Sequence, residues 1–216
     1  MTGADLRAEK RVAAATAASL VENGMVVGLG TGSTVAELVP VLGARRLDIT
    51  CAATSPATEA QAIAHGLVVR PFTDIDRLDL AIDGADQVDP AGWLVKGGGG
   101  AHTRERIVAA AADRFVVIVS SDKPVERIHA PVPLELLAFG LAATLRELPA
   151  AEVRQAPLTP DGGVLADYVG EVGDPAALAT VLDAAPGVVS HGLFSPALVS
   201  TVLVARGDEV EMREIG

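Results

Sequence analysis

Apolar and polar positions along this chain fall into two rhythms that change near residue 131. Residues 5–22 set Leu6, Val12, Ala13, Ala17 and Leu20 on one broad helical face, and Asn23-Gly24 closes that helix. Short apolar runs then alternate with helical stretches. Strands are predicted at 25–29, 49–53, 67–71, 78–82 and 115–119, helices at 35–42, 57–65 and 102–113, and a short extended piece at 93–95. That alternation predicts an α/β domain, Rossmann-like in class, with a mostly parallel sheet flanked by helices. Beyond Pro131-Val132-Pro133 a strand at 134–137, a helix at 140–148, strands at 152–156 and 163–169, a helix at 175–182 and a strand at 188–194 follow. This is the β-α-β-β-α-β order of a ferredoxin-like α+β unit. Residues 198–205, the turn Arg206-Gly207-Asp208 and residues 210–212 read as a hairpin that rejoins the first sheet. Two domains are expected: residues 1–130 with 198–216, and an inserted ferredoxin-like domain over 131–197.

Composition narrows the possible partners. With 216 residues, half of them apolar, the chain can bury a proper core, and with aromatics at 3% that core must be aliphatic. No apolar run approaches the roughly 18 residues of a membrane span, and the stretch from Met1 to Arg7 is polar, unlike a secretory leader. Cys51 is the one cysteine, so no disulfide framework or cysteine metal cage is available, and inside an apolar strand it reads as a small buried hydrophobe. These features favour a cytoplasmic location. The net charge of −11 and the lack of stacking aromatics argue against nucleic acid. An anionic small molecule would have to be held by local donors rather than by the overall field. The basic set is 14 arginines against three lysines, Lys10, Lys96 and Lys123. Lysine is a compact point charge whose pKa shifts readily, and Lys96 stands beside four consecutive glycines.

Three constellations carry candidate chemistry. Gly28-Leu29-Gly30-Thr31-Gly32-Ser33-Thr34 joins a strand to a helix, where glycines admit a ligand to the backbone and N–H groups can hold an anion. Ser33 replaces the third glycine of a dinucleotide fingerprint, and no Gly-Lys-Ser/Thr of a Walker loop follows, so the fit is to a monophosphate held by Thr31, Gly32, Ser33 and Thr34. A tight turn with a hydroxyl N-cap explains that segment equally well. Asp83-Gly84-Ala85-Asp86 ends a strand on the side where open α/β sheets bind ligands; its two carboxylates suit sugar hydroxyls or proton shuttling, while a turn would need only one of them. Lys96-Gly97-Gly98-Gly99-Gly100 can aim N–H donors at a developing oxyanion, with Glu105 on the helix that follows. A carboxylate base beside an ammonium and backbone donors is what proton abstraction α to a carbonyl requires. The structural alternative for Glu105 is a first-turn acid complementing the helix dipole behind a Thr103 N-cap. His102 and Glu105 have no third ligand cluster beside them, so no metal site is expected.

Together these segments resemble ribose-5-phosphate isomerase, type A. The resemblance rests on residues 28–34, on Thr54, Ser55 and Thr58, on residues 83–86 and 96–101, on Thr103-Arg104-Glu105 and on Asp122-Lys123, in order, from near residue 5 to the C-terminus. It implies interconversion of ribose 5-phosphate and ribulose 5-phosphate through an enediolate, without metal or cofactor, in the non-oxidative pentose phosphate pathway. Glu105 would move the proton between C2 and C1, and Lys96 with Gly97, Gly98 and Gly99 would stabilise the enediolate oxygens. Asp83 and Asp86, with Gly84 and Ala85, would hold hydroxyls and help open the ring. Ser33, Thr34 and Lys123 would bind phosphate, with Lys10 as a fourth. A homodimer or homotetramer is implied. Gln87 departs from a usual Glu, Arg106 from a usual Lys and His102 from a usual apolar residue, and Gln87 is expected to alter the pH optimum. Two other classes stay open: a sugar-phosphate sensor, which would not need Glu105, and an acyl-CoA transferase of similar fold using Glu105 as nucleophile.

Overall fold

The computed structural model describes residues 3–215; Met1, Thr2 and Gly216, included in the expected first domain, lie outside the described residues. In chain order the elements are α1 (Gly3–Ala18), β1 (Val26–Leu29), α2 (Ser33–Arg45), β2 (Thr50–Ala53), α3 (Pro56–Ala64), β3 (Val68–Val69), β4 (Leu80–Asp83), β5 (Gln87–Val88), β6 (Leu94–Val95) and α4 (His102–Ala110). They continue with β7 (Phe115–Ser120), β8 (Val132–Leu136), α5 (Leu141–Glu147), β9 (Ala151–Val153), β10 (Val164–Tyr168), α6 (Pro175–Ala184), β11 (Val188–His191), β12 (Leu193–Phe194), β13 (Thr201–Arg206) and β14 (Glu209–Glu214). The chain divides into two compact units, residues 1–85 with 104–124 and 196–216, and residues 86–103 with 125–195.

The first unit is built on a seven-stranded sheet in the order β14-β13-β7-β4-β1-β2-β3, parallel except where β14 returns against β13. The expected terminal hairpin therefore does rejoin the first sheet. Its core is aliphatic: Val27, Leu29, Leu38, Leu42, Ile82, Val116, Ile118 and Leu203 are buried with Ala13, Ala14 and Ala17 of α1. The first helix stops at Ala18 rather than reaching residue 22, and Arg45 Nη1 on α2 donates to the carbonyls of Ala18 and Val21 at that end.

The second unit holds a four-stranded antiparallel sheet, β11-β8-β10-β9, with α5 between β8 and β9 and α6 between β10 and β11. This is the ferredoxin-like arrangement. Alternation along the strands divides the sheet into two faces. Val132, Leu134, Leu136 and Ala166 point into a core completed by Leu178 and Leu182 of α6. Pro133, Glu135, Leu165 and Asp167 occupy the other face by register.

The domain boundary expected at residue 131 is corrected. Residues 86–103 group with the second unit because β5 pairs with β6 and β6 with β12 in a separate three-stranded sheet. Residues 125–130 follow them: Val125 N–H donates to Val88 O at 2.9 Å, and Gln87 and His129 exchange hydrogen bonds. The expected strand over 188–194 is likewise two strands, broken at Gly192. That residue accepts from Lys96 N–H at 2.9 Å and donates to Pro133 O at 2.7 Å, leaving no room for a side chain. Among the described residues no helix is long and apolar enough to cross a membrane.

Candidate active site

Within the first unit, the parallel register of β1 and β4 decides the geometry of the first glycine segment. Val27 stands beside Leu80, Gly28 beside Ala81 and Leu29 beside Ile82, so the next step brings Gly30 to Asp83. A Cβ on Gly30 would lie 1.8 Å from Asp83 Cγ, which is why only glycine fits. Asp83, 2% exposed, accepts from Thr31 N–H at 3.1 Å and from its neighbour Gly84 N–H at 2.7 Å through one oxygen. Thr31 Oγ1 lies 2.8 Å from Thr54 Oγ1, and Thr58 Oγ1 donates to Gly30 O at 2.9 Å. Ser55 caps α3 by accepting from Thr58 N–H, and Thr54 and Thr58 contact the glycine segment directly. The hydroxyl-cap alternative does not apply to Ser33 or Thr34. The N-cap of α2 is Gly32, at φ 125°, with no side-chain cap, and Ser33 and Thr34 are the first residues of the helix.

Helix α1 supplies two further groups to this unit. Lys10 Nζ reaches Ser33 Oγ at 3.0 Å, which joins two of the residues expected to hold phosphate. Lys123 pairs with Asp122 at 3.1 Å, and Asp122 in turn accepts from Ser120 Oγ. Glu9, 3% exposed, was not among the sequence candidates. Its Oε2 accepts from Ser121 N–H at 2.9 Å and Ser121 Oγ at 2.7 Å, and its Oε1 accepts from Gly207 N–H at 2.9 Å. It thus ties the loop that carries Lys123 and the turn between β13 and β14 to α1. The signal was present: Glu9, Ala13 and Ala17 recur at four-residue spacing, which sets Glu9 on the buried alanine face.

Burial pushes the Glu9 carboxyl up, but the three hydrogen bonds outweigh it and hold the group below its ordinary value of 4.5. A lowered folded-state pKa contributes stability that is complete above the unfolded value and is lost as pH falls through the folded one. Glu9→Gln is therefore expected to cost about 1–3 kcal/mol near neutral pH. In urea unfolding, the gap between the two proteins should narrow steadily below pH 4.5. A gap that is constant with pH would mean that the carboxylate charge contributes nothing.

Glu105 lies in the first turn of α4 and is 5% exposed. A first-turn acid that serves only the helix dipole needs no burial. Thr103 does not act as an N-cap either, since it lies inside the helix and donates to Glu135.

Within the second unit, the run of glycines forms a turn closed by Gly100 N–H donating to Gly97 O at 3.0 Å. Gly98 N–H donates to Asp86 Oδ2 at 2.8 Å, so Asp86 orients this turn. Gly97 has φ 105°, and a Cβ there would meet the His102 ring at 2.6 Å and Pro133 at 2.8 Å. Gly98 and Gly99 are exposed at the tip. Lys96 is 3% exposed, and its Nζ sits 5.6 Å from the centroid of the Phe194 ring, within cation–π range. Arg154, also absent from the sequence candidates, donates to Gly97 O at 3.0 Å. No local pattern could have found it, because its relation to the turn depends on strand register.

Three comparisons bear on this arrangement. A family model for ribose 5-phosphate isomerase A (phosphoriboisomerase A) matches residues 50–209. The chain belongs to that family. Ribose-5-phosphate isomerase A of Rhodopseudomonas palustris (strain HaA2) is 42% identical over 225 residues, covering 95% of this chain and 97% of the relative. The corresponding protein of Gluconobacter oxydans (strain 621H) is 42% identical over 228 residues, covering 98% of each chain. The crystal structure of ribose 5 phosphate isomerase A from Neisseria gonorrhoeae superposes with a TM-score of 0.92 at 28% identity, covering 98% of each chain. As a ribose-5-phosphate isomerase A, this chain is an enzyme of the isomerase class, and the likeness spans both of its units. Gln87, expected from the resemblance to depart from the family pattern, is held by a local pairing. The Gln87 amide donates to His129 O at 2.8 Å and its Oε1 accepts from His129 N–H at 3.0 Å, a two-way pairing that a carboxylate could make only in part.

Proposed function

We propose that this enzyme interconverts D-ribose 5-phosphate and D-ribulose 5-phosphate through a cis-enediolate, without metal or cofactor. The observation that carries the reading is the buried carboxylate of Glu105, at the position that the family resemblance gives to the base. In the open-chain aldose the Glu105 carboxylate takes the proton from C2, leaving negative charge shared over O1 and O2, and the resulting carboxylic acid returns a proton to C1. The hydroxyl proton moves from O2 to O1, so atoms and charge balance. Lys96 and the glycine turn, through the N–H groups of Gly97 and Gly99, stabilise the enediolate oxygens, while Asp86 holds the Gly98 N–H. Asp83 and Asp86, with the backbone of Gly84 and Ala85, hold hydroxyls and pass the proton that opens the furanose ring. Thr31, Gly32, Ser33, Thr34, Lys123 and Lys10 bind the phosphate; the Lys10–Ser33 contact supports this for two of them. The same reading assigns the enzyme to the non-oxidative pentose phosphate pathway in the cytoplasm, as a homodimer or homotetramer with a small-molecule substrate.

The deciding experiment follows conversion of ribose 5-phosphate to ribulose 5-phosphate in excess chelator, with the reaction repeated in D2O. Turnover that resists chelator and places deuterium at C1 of ribulose 5-phosphate is the expected result. Binding of the sugar phosphate without turnover would restore the sensor reading.

A further inference from the structure

We infer that Arg154 and Asp167 are positioning residues for the oxyanion-stabilising turn: the outer face of the ferredoxin-like sheet is the template on which Lys96 to Gly99 are set. The inference rests on the proposed role of that turn in binding the enediolate. All of the geometry lies within the second unit.

The register of β9 and β10 places Arg154. Val153 stands opposite Ala166, and the next backbone bond, Arg154 N–H to Leu165 O at 2.9 Å, makes Arg154 the partner of Leu165. Asp167, two residues along, is the diagonal neighbour on the same face, within reach of a long side chain. Arg154 closes on it with a bidentate pair, Nε to Oδ2 at 2.7 Å and Nη2 to Oδ1 at 2.6 Å. That leaves Nη1, which donates to Gly97 O at 3.0 Å and reaches Gly98 O at 3.4 Å. A guanidinium can hold a carboxylate fork and a carbonyl pair at once, whereas an ammonium cannot.

The other residues of this face complete the seat. Leu165 packs where a side chain on Gly100 would be, 2.6 Å from its Cβ position, and Pro133 stands 2.8 Å from the Cβ position of Gly97. Glu135, buried on the same face, accepts from Thr103 Oγ1 and from Thr159 Oγ1, which anchors the far end of the segment. Both glycine positions are therefore set by the sheet as well as by turn geometry.

Peptide planarity gives the arrangement its chemical meaning. In a trans peptide the C=O and the following N–H point in opposite directions. Holding the Gly97 and Gly98 carbonyls toward Arg154 turns the N–H groups of Gly98 and Gly99 away from it. The first of these meets Asp86, and the second belongs to the exposed tip. Four glycines in a row have no conformational preference of their own. The direction of these peptides must therefore be imposed: Asp86 fixes the Gly98 N–H, and the Arg154–Asp167 pair fixes the carbonyls from outside the reacting groups.

The test compares full-length wild type with Arg154→Ala, Arg154→Lys and Asp167→Asn, measuring kcat, KM and thermal midpoint with ribose 5-phosphate. Misdirected donors act on the enediolate rather than on the bound aldose, so kcat should fall while KM stays within about threefold. Arg154→Ala is expected to lose about 10²-fold in kcat. Arg154→Lys and Asp167→Asn should each lose about tenfold at unchanged thermal midpoint, and if Arg154→Ala does not fold these two decide. Values of kcat within twofold of wild type in both conservative variants, or losses that appear only as a lower thermal midpoint, would overturn the inference. A wild type that does not isomerise ribose 5-phosphate would instead overturn the functional reading beneath it.

Discussion

Glu105→Gln is expected to lower kcat for ribose 5-phosphate isomerisation by about 10³-fold or more, at the upper part of the range for general acid–base groups. Glutamine keeps the size and shape of the side chain but cannot accept and return a proton. The substitution also removes a charge from a site that is 5% exposed. A thermal melt of the same variant reads any structural contribution of the side chain, whose loss would lower the midpoint. Loss of rate with no loss of stability separates a chemical role from a structural one, because an acid that served the dipole of α4 would show the opposite pair of effects. Steady-state kinetics and a thermal melt on the same preparations check both halves. Retention of a tenth of the wild-type kcat would remove Glu105 as the base.

The second large effect is expected at Gly30, a residue with no functional group. An alanine there would put its Cβ within 1.8–2.3 Å of all three carboxyl atoms of Asp83. Asp83 cannot swing aside freely, since its Oδ1 receives the N–H groups of Thr31 and Gly84. Displacing it breaks both bonds and forces a backbone shift, a cost of about 2–4 kcal/mol when overpacking and the lost hydrogen bonds are combined. Gly30→Ala should lower the thermal midpoint and reduce kcat/KM at least 10²-fold, since the proposed ring-opening acid is moved. A double variant distinguishes the two consequences. Adding Asp83→Ala to Gly30→Ala relieves the clash, so much of the lost stability should return while activity stays low. If the double variant is no more stable than Gly30→Ala alone, the contact with Asp83 is not the source of the strain.

Both predictions depend on features of different legibility. The run Lys96 to Gly100, the pair Asp83 and Asp86, and Glu105 stand out in the chain because each uses residue types that a turn or a helix alone does not require. The alternation of apolar runs with helical stretches likewise gave the parallel sheet, the ferredoxin-like unit and the returning hairpin, since strand and helix periods are local properties. The boundary near residue 131 was displaced for a physical reason. β5 and β6 are two residues each and pair with one another, but β6 is joined to the rest of the second unit through β12, about a hundred residues later, so no local pattern shows where they belong.

Glu9 and Arg154 mark the limit from the other side. Both are charged, and in a list of residues they look like any surface acid or base. Helical spacing alone aligned Glu9 with buried alanines, but its partners, Ser121 and Gly207, lie 112 and 198 residues away. The position of Arg154 opposite Leu165, diagonal to Asp167 and over the Gly97 carbonyl follows from strand register, and a slip of one residue would turn it to the opposite face. The sequence by itself determined the element types and the family and singled out the candidate groups for proton transfer, because those follow from residue chemistry and short-range periodicity. Only the tertiary structure decided which side chains hold those groups in place, because that depends on register and on contacts between segments far apart in the chain.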